Sequence, residues 1–125
     1  MSVRDEFDVI NAFVKQLEEM SLLRKIKGTG SMIIFRILPK GQFKIEVDNS
    51  YPRSLPKWQV VFEGEVVNSP DTPFPVEATT IFQAFICGIF VLKKRRKSEV
   101  PCIISLLDPE FYGQLESICS KPNTV

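Results

Sequence analysis

The pattern of apolar and polar residues predicts a buried helix in the second half of the chain. The stretch from Val76 to Lys97 is the most apolar run and ends in five consecutive cations. At helical spacing its large side chains fall on one broad stripe: Ile81, Phe82, Phe85, Ile86, Ile89 and Phe90. Smaller apolar residues make much of the opposite side apolar, and such a helix is usually buried on several sides. We therefore predict a core helix that starts near Pro75 or Glu77, with a sheet on one face and another helix near the other.

A second helical pattern opens the chain. Apolar residues recur there every three or four positions, at Val3, Phe7, Ile10, Val14 and Leu17. Cations follow late in this segment, where they suit the end of a helix, and Gly28 and Gly30 then stop it. The pattern predicts an amphipathic helix that begins near residue 3 and ends somewhere between residues 20 and 26.

Alternation with a period of two predicts a β-hairpin after this helix. Met32–Leu38 is rich in β-branched and aromatic residues and lies between turn residues. From Gln42 to Asp48 apolar and polar residues alternate without interruption, which is typical of a half-buried strand. A third strand is predicted from Trp58 to Val67, where Gly64 suggests a bulge or bend.

The C-terminal part of the chain carries one ambiguous segment and one clear helix start. In Val100–Leu107, Ile103 and Ile104 favour a short strand at a sheet edge. Asp108-Pro109-Glu110 then has the residues of a helix N-terminus. The resulting order, α-β-β-β-α-(β)-α, predicts an α+β fold with an antiparallel sheet of three or four strands and helices packed on one face. At this length the chain is predicted to form a single domain over residues 1–125.

The polar positions of the strands predict an open sheet face on the side away from the helices. Its members would be Lys44, Glu46, Asp48, Gln59 and Glu63, with Glu65 near its end. Three alternatives follow for this surface: a solvated face, a face that binds a partner, or a paired-carboxylate site for catalysis or a divalent cation. No spacing among its carboxylates favours the third alternative, so the first two carry more weight.

Composition argues against several kinds of chemistry. The sequence has no histidine, the usual general base near neutral pH and the commonest metal ligand. Cys87, Cys102 and Cys119 are widely spaced and form neither a zinc-binding pattern nor a disulfide framework. Their number and spacing favour a reducing compartment, and we expect a cytoplasmic location. We expect no catalytic residue, metal or cofactor.

The cationic run is the strongest polar signal, and it consists of Lys93, Lys94, Arg95, Arg96 and Lys97. As the end of a helix it complements the macrodipole, whereas as an anion-binding site it would contact phosphates. Nucleic acid is the less favoured partner because no aromatic residues interleave the cations and the net charge is only +1. The uncharged part of the preceding helix, Ala78–Leu92, spans about 22 Å against roughly 30 Å of hydrocarbon, so no membrane span is predicted.

One segment resembles a family of small bacterial proteins. From Trp58 to Lys94 a strand that ends in VFEGEVV is followed by a turn rich in Pro and Asp and by VEATTIFQAFICGIFVLKK. This order is similar to that of immunity proteins that neutralise secreted or contact-delivered bacterial toxins, and Gln83-Ala84-Phe85 stands where their helix carries a comparable pattern. The resemblance covers about a third of the chain. It implies an α+β fold and a toxin domain as the partner, and it assigns no contact residues.

These observations predict a non-catalytic protein-binding protein, most concretely a cytosolic immunity protein that occludes the active site of a cognate bacterial toxin. The predicted contact surface is the open sheet face, whose carboxylates would meet a basic active site. A nucleic-acid or anionic-surface module that uses Lys93–Lys97 is the first alternative. A small enzyme that uses carboxylates or a thiol is the second.

Overall fold

A computed structural model describes residues 3–19, 23–37, 40–62, 64–66, 77–96 and 102–120. Its helices are α1 (Val3–Glu19), α2 (Ile81–Arg96) and α3 (Pro109–Ser120), and a 3₁₀ helix covers Cys102–Leu106. Its strands are β1 (Leu23–Gly28), β2 (Met32–Ile37), β3 (Gly41–Glu46), β4 (Lys57–Phe62) and β5 (Glu65–Val66). The five strands form one antiparallel sheet in the order β1-β2-β3-β4-β5. The predicted α+β class with an antiparallel sheet is confirmed.

The inner face of the sheet forms one wall of the core. Alternate residues of β2, β3 and β4 are buried on this face: Ile33, Phe35, Ile37, Phe43, Ile45 and Val60. The apolar residues of the helices join them in one core cluster, including Phe7 and Ile10 from α1 and Phe111 and Leu115 from α3. Because every described helix contributes to this cluster, the helices lie on one face of the sheet, as predicted.

Helix α2 is the centre of the core. Ten of its residues are buried, namely Ile81 and every residue from Ala84 to Leu92. They lie on nearly all sides of the helix. Gly88 faces the Phe43 ring so closely that an added Cβ would lie under 3.0 Å from three of its ring carbons. Glycine at this position therefore allows the helix to pack directly against β3.

The N-terminus of α2 differs from the prediction, which placed it near Pro75 or Glu77. Residues 77–80 are not helical, and α2 begins at Ile81. The Thr80 hydroxyl accepts a hydrogen bond from the Gln83 N–H at 3.1 Å, which makes Thr80 the N-cap. The side-chain bond, rather than a proline or an acidic residue, determines where this helix starts.

Three further segments depart from the predicted elements. The described part of the first helix is Val3–Glu19, and Leu23–Gly28 forms the edge strand β1 instead of a continuation of that helix. Gly64, with φ 87°, lies between the paired residues Phe62 and Glu65, so the chain makes a tight turn there and returns as β5. The segment around Ile104, for which a strand was favoured, contains the 3₁₀ helix Cys102–Leu106.

Candidate functional site

The candidate site is the face of β2, β3 and β4 that points away from the helices. The strand registers place its residues in three rows. The first row is Met32, Glu46 and Lys57, the second is Ile34, Lys44 and Gln59, and the third is Arg36, Gln42 and Val61. We call these nine residues the outer face.

No described helix covers the outer face, because all of them bury their apolar side chains in the core cluster on the other side. Arg36, Gln42, Lys57 and Gln59 are exposed. The three apolar members, Met32, Ile34 and Val61, are half-buried among these polar neighbours. The result is an open surface in which aliphatic side chains are framed by long charged or amide side chains.

The charge of the outer face is positive. Arg36, Lys44 and Lys57 are its cations, and Glu46 is its carboxylate, so three positive charges and one negative charge leave a balance of +2. Lys44 Nζ lies 3.9 Å from Glu46 Oε1, and their side chains are 34% and 43% exposed. An ion pair this exposed contributes roughly 0–1 kcal/mol to stability, so both groups stay available to a partner.

The predicted acidic cluster is only partly brought together. Lys44, Glu46 and Gln59 lie on the outer face as predicted. Asp48 lies beyond the end of β3, in the loop, where its Oδ1 accepts hydrogen bonds from the Ser54 hydroxyl and from the Ser50 N–H. These two bonds, that of Ser54 first, lower the pKa of Asp48 below its ordinary value of 3.8.

The two remaining predicted carboxylates have no described side chain. Glu63 lies outside the described residues. Glu65 pairs through its backbone with Phe62 in β5, and its side chain is outside the described part. Among the described side chains, Glu46 is therefore the one predicted carboxylate that the outer face carries.

The predicted anion-binding run lies at the C-terminal end of α2. Lys93, Lys94, Arg95 and Arg96 form its last turn, and Lys97 falls outside the described residues. The side chains of this run are not among those described. The suggestion that they bind phosphates stays a prediction.

The large aromatic side chains of the sheet all point to the core. Phe43 contacts the rings of Phe35, Phe85 and Trp58 at centroid distances of 5.6, 6.1 and 6.4 Å. Phe62 also packs against the core cluster. The described outer face consequently holds no aromatic ring on which a nucleic-acid base could stack.

The thiols and carboxylates form no metal-binding group within the described part of the chain. Cys87 is buried in α2, while the side chains of Cys102 and Cys119 lie outside the described part. None of the described helices is long and apolar enough to cross a membrane.

A polar junction at the N-terminus of α2 was not predicted. The Tyr51 hydroxyl donates to Glu6 Oε1 at 3.1 Å and accepts from the Ile81 N–H at 3.0 Å, so it joins α1, a loop and α2. Burial raises the pKa of Glu6 above its ordinary value of 4.5, although the hydrogen bond from Tyr51 acts in the opposite direction. Burial likewise raises the pKa of the Tyr51 phenol. No short-range pattern in the sequence connects residues so far apart.

Gln83 forms a second junction, between α2 and α3. Its Oε1 accepts hydrogen bonds from the N–H and the hydroxyl of Thr79 at 2.8 and 2.9 Å. Its Nε2 donates to Asp108 Oδ2 at 3.1 Å, while Asp108 Oδ1 caps α3 by accepting from the Phe111 N–H. Thr80 followed by Gln83 is the capping-box spacing, so this part of the junction could have been predicted from the sequence.

Comparison with known proteins assigns no family to this chain. No protein-family model matches the chain, and neither the curated proteins nor the solved structures give a match. Any assignment of function consequently depends on the surface itself.

Proposed function

We propose that this protein is a non-catalytic protein-binding protein and that the outer face is its interface. The observation that carries the proposal is a sheet face with aliphatic residues in each row and no described helix over it. Such a mixture of apolar contact area and polar groups at the edges is typical of protein interfaces. Met32, Ile34 and Val61 would supply the contact area that water leaves on binding.

The charge of the outer face favours a partner with an acidic surface. Arg36, Lys44 and Lys57 outnumber Glu46, so a partner that presents carboxylates gains attraction at each encounter. The sequence predicts the opposite charges, with an acidic sheet face that meets a basic active site of the partner. The difference has three sources: strand register adds Arg36 and Lys57, Asp48 lies in the loop, and the side chains of Glu63 and Glu65 are outside the described part.

A protein partner is favoured over nucleic acid. Single-stranded nucleic acid is held by aromatic side chains as well as by cations, and the described outer face carries none. Its central row instead places Ile34 beside Lys44, and an aliphatic residue among cations suits a protein surface.

The specific form of this function that we propose is that of an immunity protein. It would lay the outer face over the active site of a bacterial toxin and exclude the substrate. The support is the resemblance of residues 58–94 to immunity proteins, together with a sheet face that no described helix covers. The preferred toxin has carboxylates at the rim of its active site.

Photo-crosslinking in the native host tests the interface. A benzophenone amino acid replaces the exposed Gln59 on the outer face in one variant and the exposed Gln114 on α3 in a matched control. We expect Gln59 to capture one protein repeatedly and Gln114 not to capture it. Equal capture from the two positions, or capture from Gln114 alone, would refute the assignment of the interface.

Charge reversal then tests the chemistry with the captured protein in purified form. Lys44→Glu together with Lys57→Glu changes the balance of the outer face from +2 to −2. Association should therefore slow, and added salt should speed it instead of slowing it, because salt screens exposed charges over a Debye length of about 10 Å at 0.1 M. Lys15→Glu, on the exposed side of α1, is the control and should leave association nearly unchanged. Faster association of the double variant would show that the partner surface is basic.

The toxin assignment has a separate test. The product of the gene directly upstream is expressed in a sensitive strain, with the wild-type chain or with the double variant. Growth should be protected by the wild type and by Lys15→Glu but not by the double variant. A captured partner that has no toxic activity would refute the immunity role and leave the interface supported.

A further inference from the structure

A concave surface lies at one end of the sheet, where it shares Met32 with the outer face. Here α1 and the turn between β1 and β2 enclose a half-open cavity of about 370 Å³. The apolar part of its lining comes from the buried side chains of Phe7 and Ile33 and from Met32, and the rest of the lining is largely polar. A volume of this size lies within the range of small-molecule binding sites in proteins.

The rim of the cavity carries both signs of charge on one stripe of α1. Arg4, Asp8 and Asn11 follow one another at spacings of four and three residues and therefore lie on the same side of the helix. Arg4 and Asp8 are spaced for an ion pair, but within the described part of the chain they form none. Both side chains are exposed and so are available to a bound molecule.

Asn11 adds an unsatisfied polar atom to this group. Its Oδ1 is buried and accepts no hydrogen bond from the described residues. A buried acceptor without a donor destabilises a protein, so such an atom calls for a partner such as a water, an ion or a ligand. Rotation about the last side-chain bond of asparagine is broad, so a small turn of the amide would present this oxygen to the cavity.

We propose that this cavity binds a free α-amino acid with an apolar side chain. The ammonium group donates to Asp8 and to the Asn11 amide oxygen, the carboxylate pairs with Arg4, and the side chain lies on Phe7 and Ile33. The Cβ atoms of residues four apart on a helix are about 5–6 Å from each other. Arg4 and Asp8 are thus spaced to contact the two charged groups of one amino acid from opposite sides.

An NMR titration of the full chain with L-leucine tests the site. We expect the amide signals of Gly28, Thr29 and Gly30, which line the cavity, to shift with added leucine and to saturate in the millimolar range or below. The amide signals of α3 should not move. An absence of saturable shifts at these three residues would overturn the proposal.

Two analogues separate the charged groups of the ligand. N-acetyl-leucine lacks the ammonium group and leucinamide lacks the carboxylate, and each should bind about tenfold or more weakly because one charge-assisted contact is lost. Binding of leucinamide as tight as that of leucine would identify a site for amines or peptide N-termini and refute the amino-acid assignment. Equal binding of N-acetyl-leucine would refute it in favour of a carboxylate site.

Substitutions in the rim give the matching protein-side test. Arg4→Gln and Asp8→Asn should each weaken leucine binding about tenfold or more, and Glu116→Gln, at an exposed position of α3, should not. Asn11→Leu should also weaken binding but should raise the thermal unfolding midpoint of the free protein, because the unsatisfied oxygen is removed. If Asn11→Leu binds leucine like the wild type, the proposed role of this amide is wrong.

Discussion

Replacing Gly88 by alanine tests whether α2 packs directly on the ring of Phe43. The added Cβ would lie closer than 3.0 Å to three carbons of that ring. The ring has no free space to move into, because Phe43 is fully buried and contacts the rings of Phe35, Phe85 and Trp58. The substitution therefore forces either the helix or the aromatic cluster to shift.

Two opposing effects determine how much Gly88→Ala lowers the free energy of unfolding. Alanine favours a helix over glycine by about 1 kcal/mol. Overpacking a well-packed core costs typically about 1–3 kcal/mol and occasionally more, and a rigid ring contacted at three atoms is an unfavourable case. We expect the free energy of unfolding to fall by about 2 kcal/mol or more, which corresponds to a midpoint lower by roughly 8 °C for a chain of this size.

Urea and thermal unfolding measure the effect, and Gly113→Ala is the matched control. Gly113 is an exposed glycine of α3, and a Cβ added there would have no atom within 4 Å, so alanine should stabilise by up to about 1 kcal/mol. A Phe43→Leu background supplies the second control, because leucine removes the atoms that clash. In that background Gly88→Ala should be neutral or stabilising, which gives a coupling energy of about 2–3 kcal/mol.

Two results would contradict direct packing of α2 on the Phe43 ring: a Gly88→Ala variant as stable as the wild type, or a loss of stability that is the same with phenylalanine and with leucine at position 43. The first result would mean that helix and sheet are further apart than described. The second would mean that the cost arises from some contact other than the Phe43 ring.

The polar junctions and the loop give three further predictions, each measured by urea unfolding. The pKa of Glu6 is raised in the folded state, so this group stabilises the fold fully below pH 4.5, the pKa of the unfolded chain, and this stabilisation is lost as pH rises through the folded pKa. The Glu6→Gln variant should therefore become more stable relative to the wild type between that acidic pH and neutral pH. The pKa of Asp48 is lowered in the folded state, so this carboxylate stabilises the fold above pH 3.8 and the stabilisation is lost as pH falls through the folded pKa. The stability of Asp48→Asn should therefore fall less on acidification than that of the wild type. An equal fall in the two proteins would contradict this prediction. Gln83→Ala removes three hydrogen bonds and should cost about 1–3 kcal/mol, whereas Gln114→Ala on the exposed side of α3 should change stability by less than about 0.5 kcal/mol.

Local periodicity was sufficient for the elements that form the core. The apolar stripe of residues 81–90 predicted α2 because a helix buried on several sides leaves an unmistakable excess of apolar residues. The alternation after Gly41 predicted β3 because one face of that strand is buried and the other is not. In both segments, burial and local pattern agree.

Elements that depend on distant partners were harder to predict. The cations after Leu23 suit a helix end, yet Leu23–Gly28 forms β1, because this segment pairs with β2 across a tight turn. The strand favoured around Ile104 was chosen on β-branched propensity, but Ile104 enters the core from a 3₁₀ helix. Propensity describes a residue, whereas strand formation also requires a neighbour with free hydrogen-bonding groups.

The charge of the outer face likewise could not be predicted from the local pattern of one strand. Alternation alone assigns Asp48 to the same side as Lys44 and Glu46, and with Glu63 and Glu65 it makes the predicted face acidic. The chain leaves β3 at Glu46, and two serines of the following loop then hold the Asp48 carboxylate. Asp48 leaves the face, and register rather than composition brings Arg36 and Lys57 to it, so the described residues of the outer face carry a positive balance. Electrostatic complementarity acts mainly on encounter, so the residues that strand register brings together, more than the alternation within one strand, set the charge that a partner would meet.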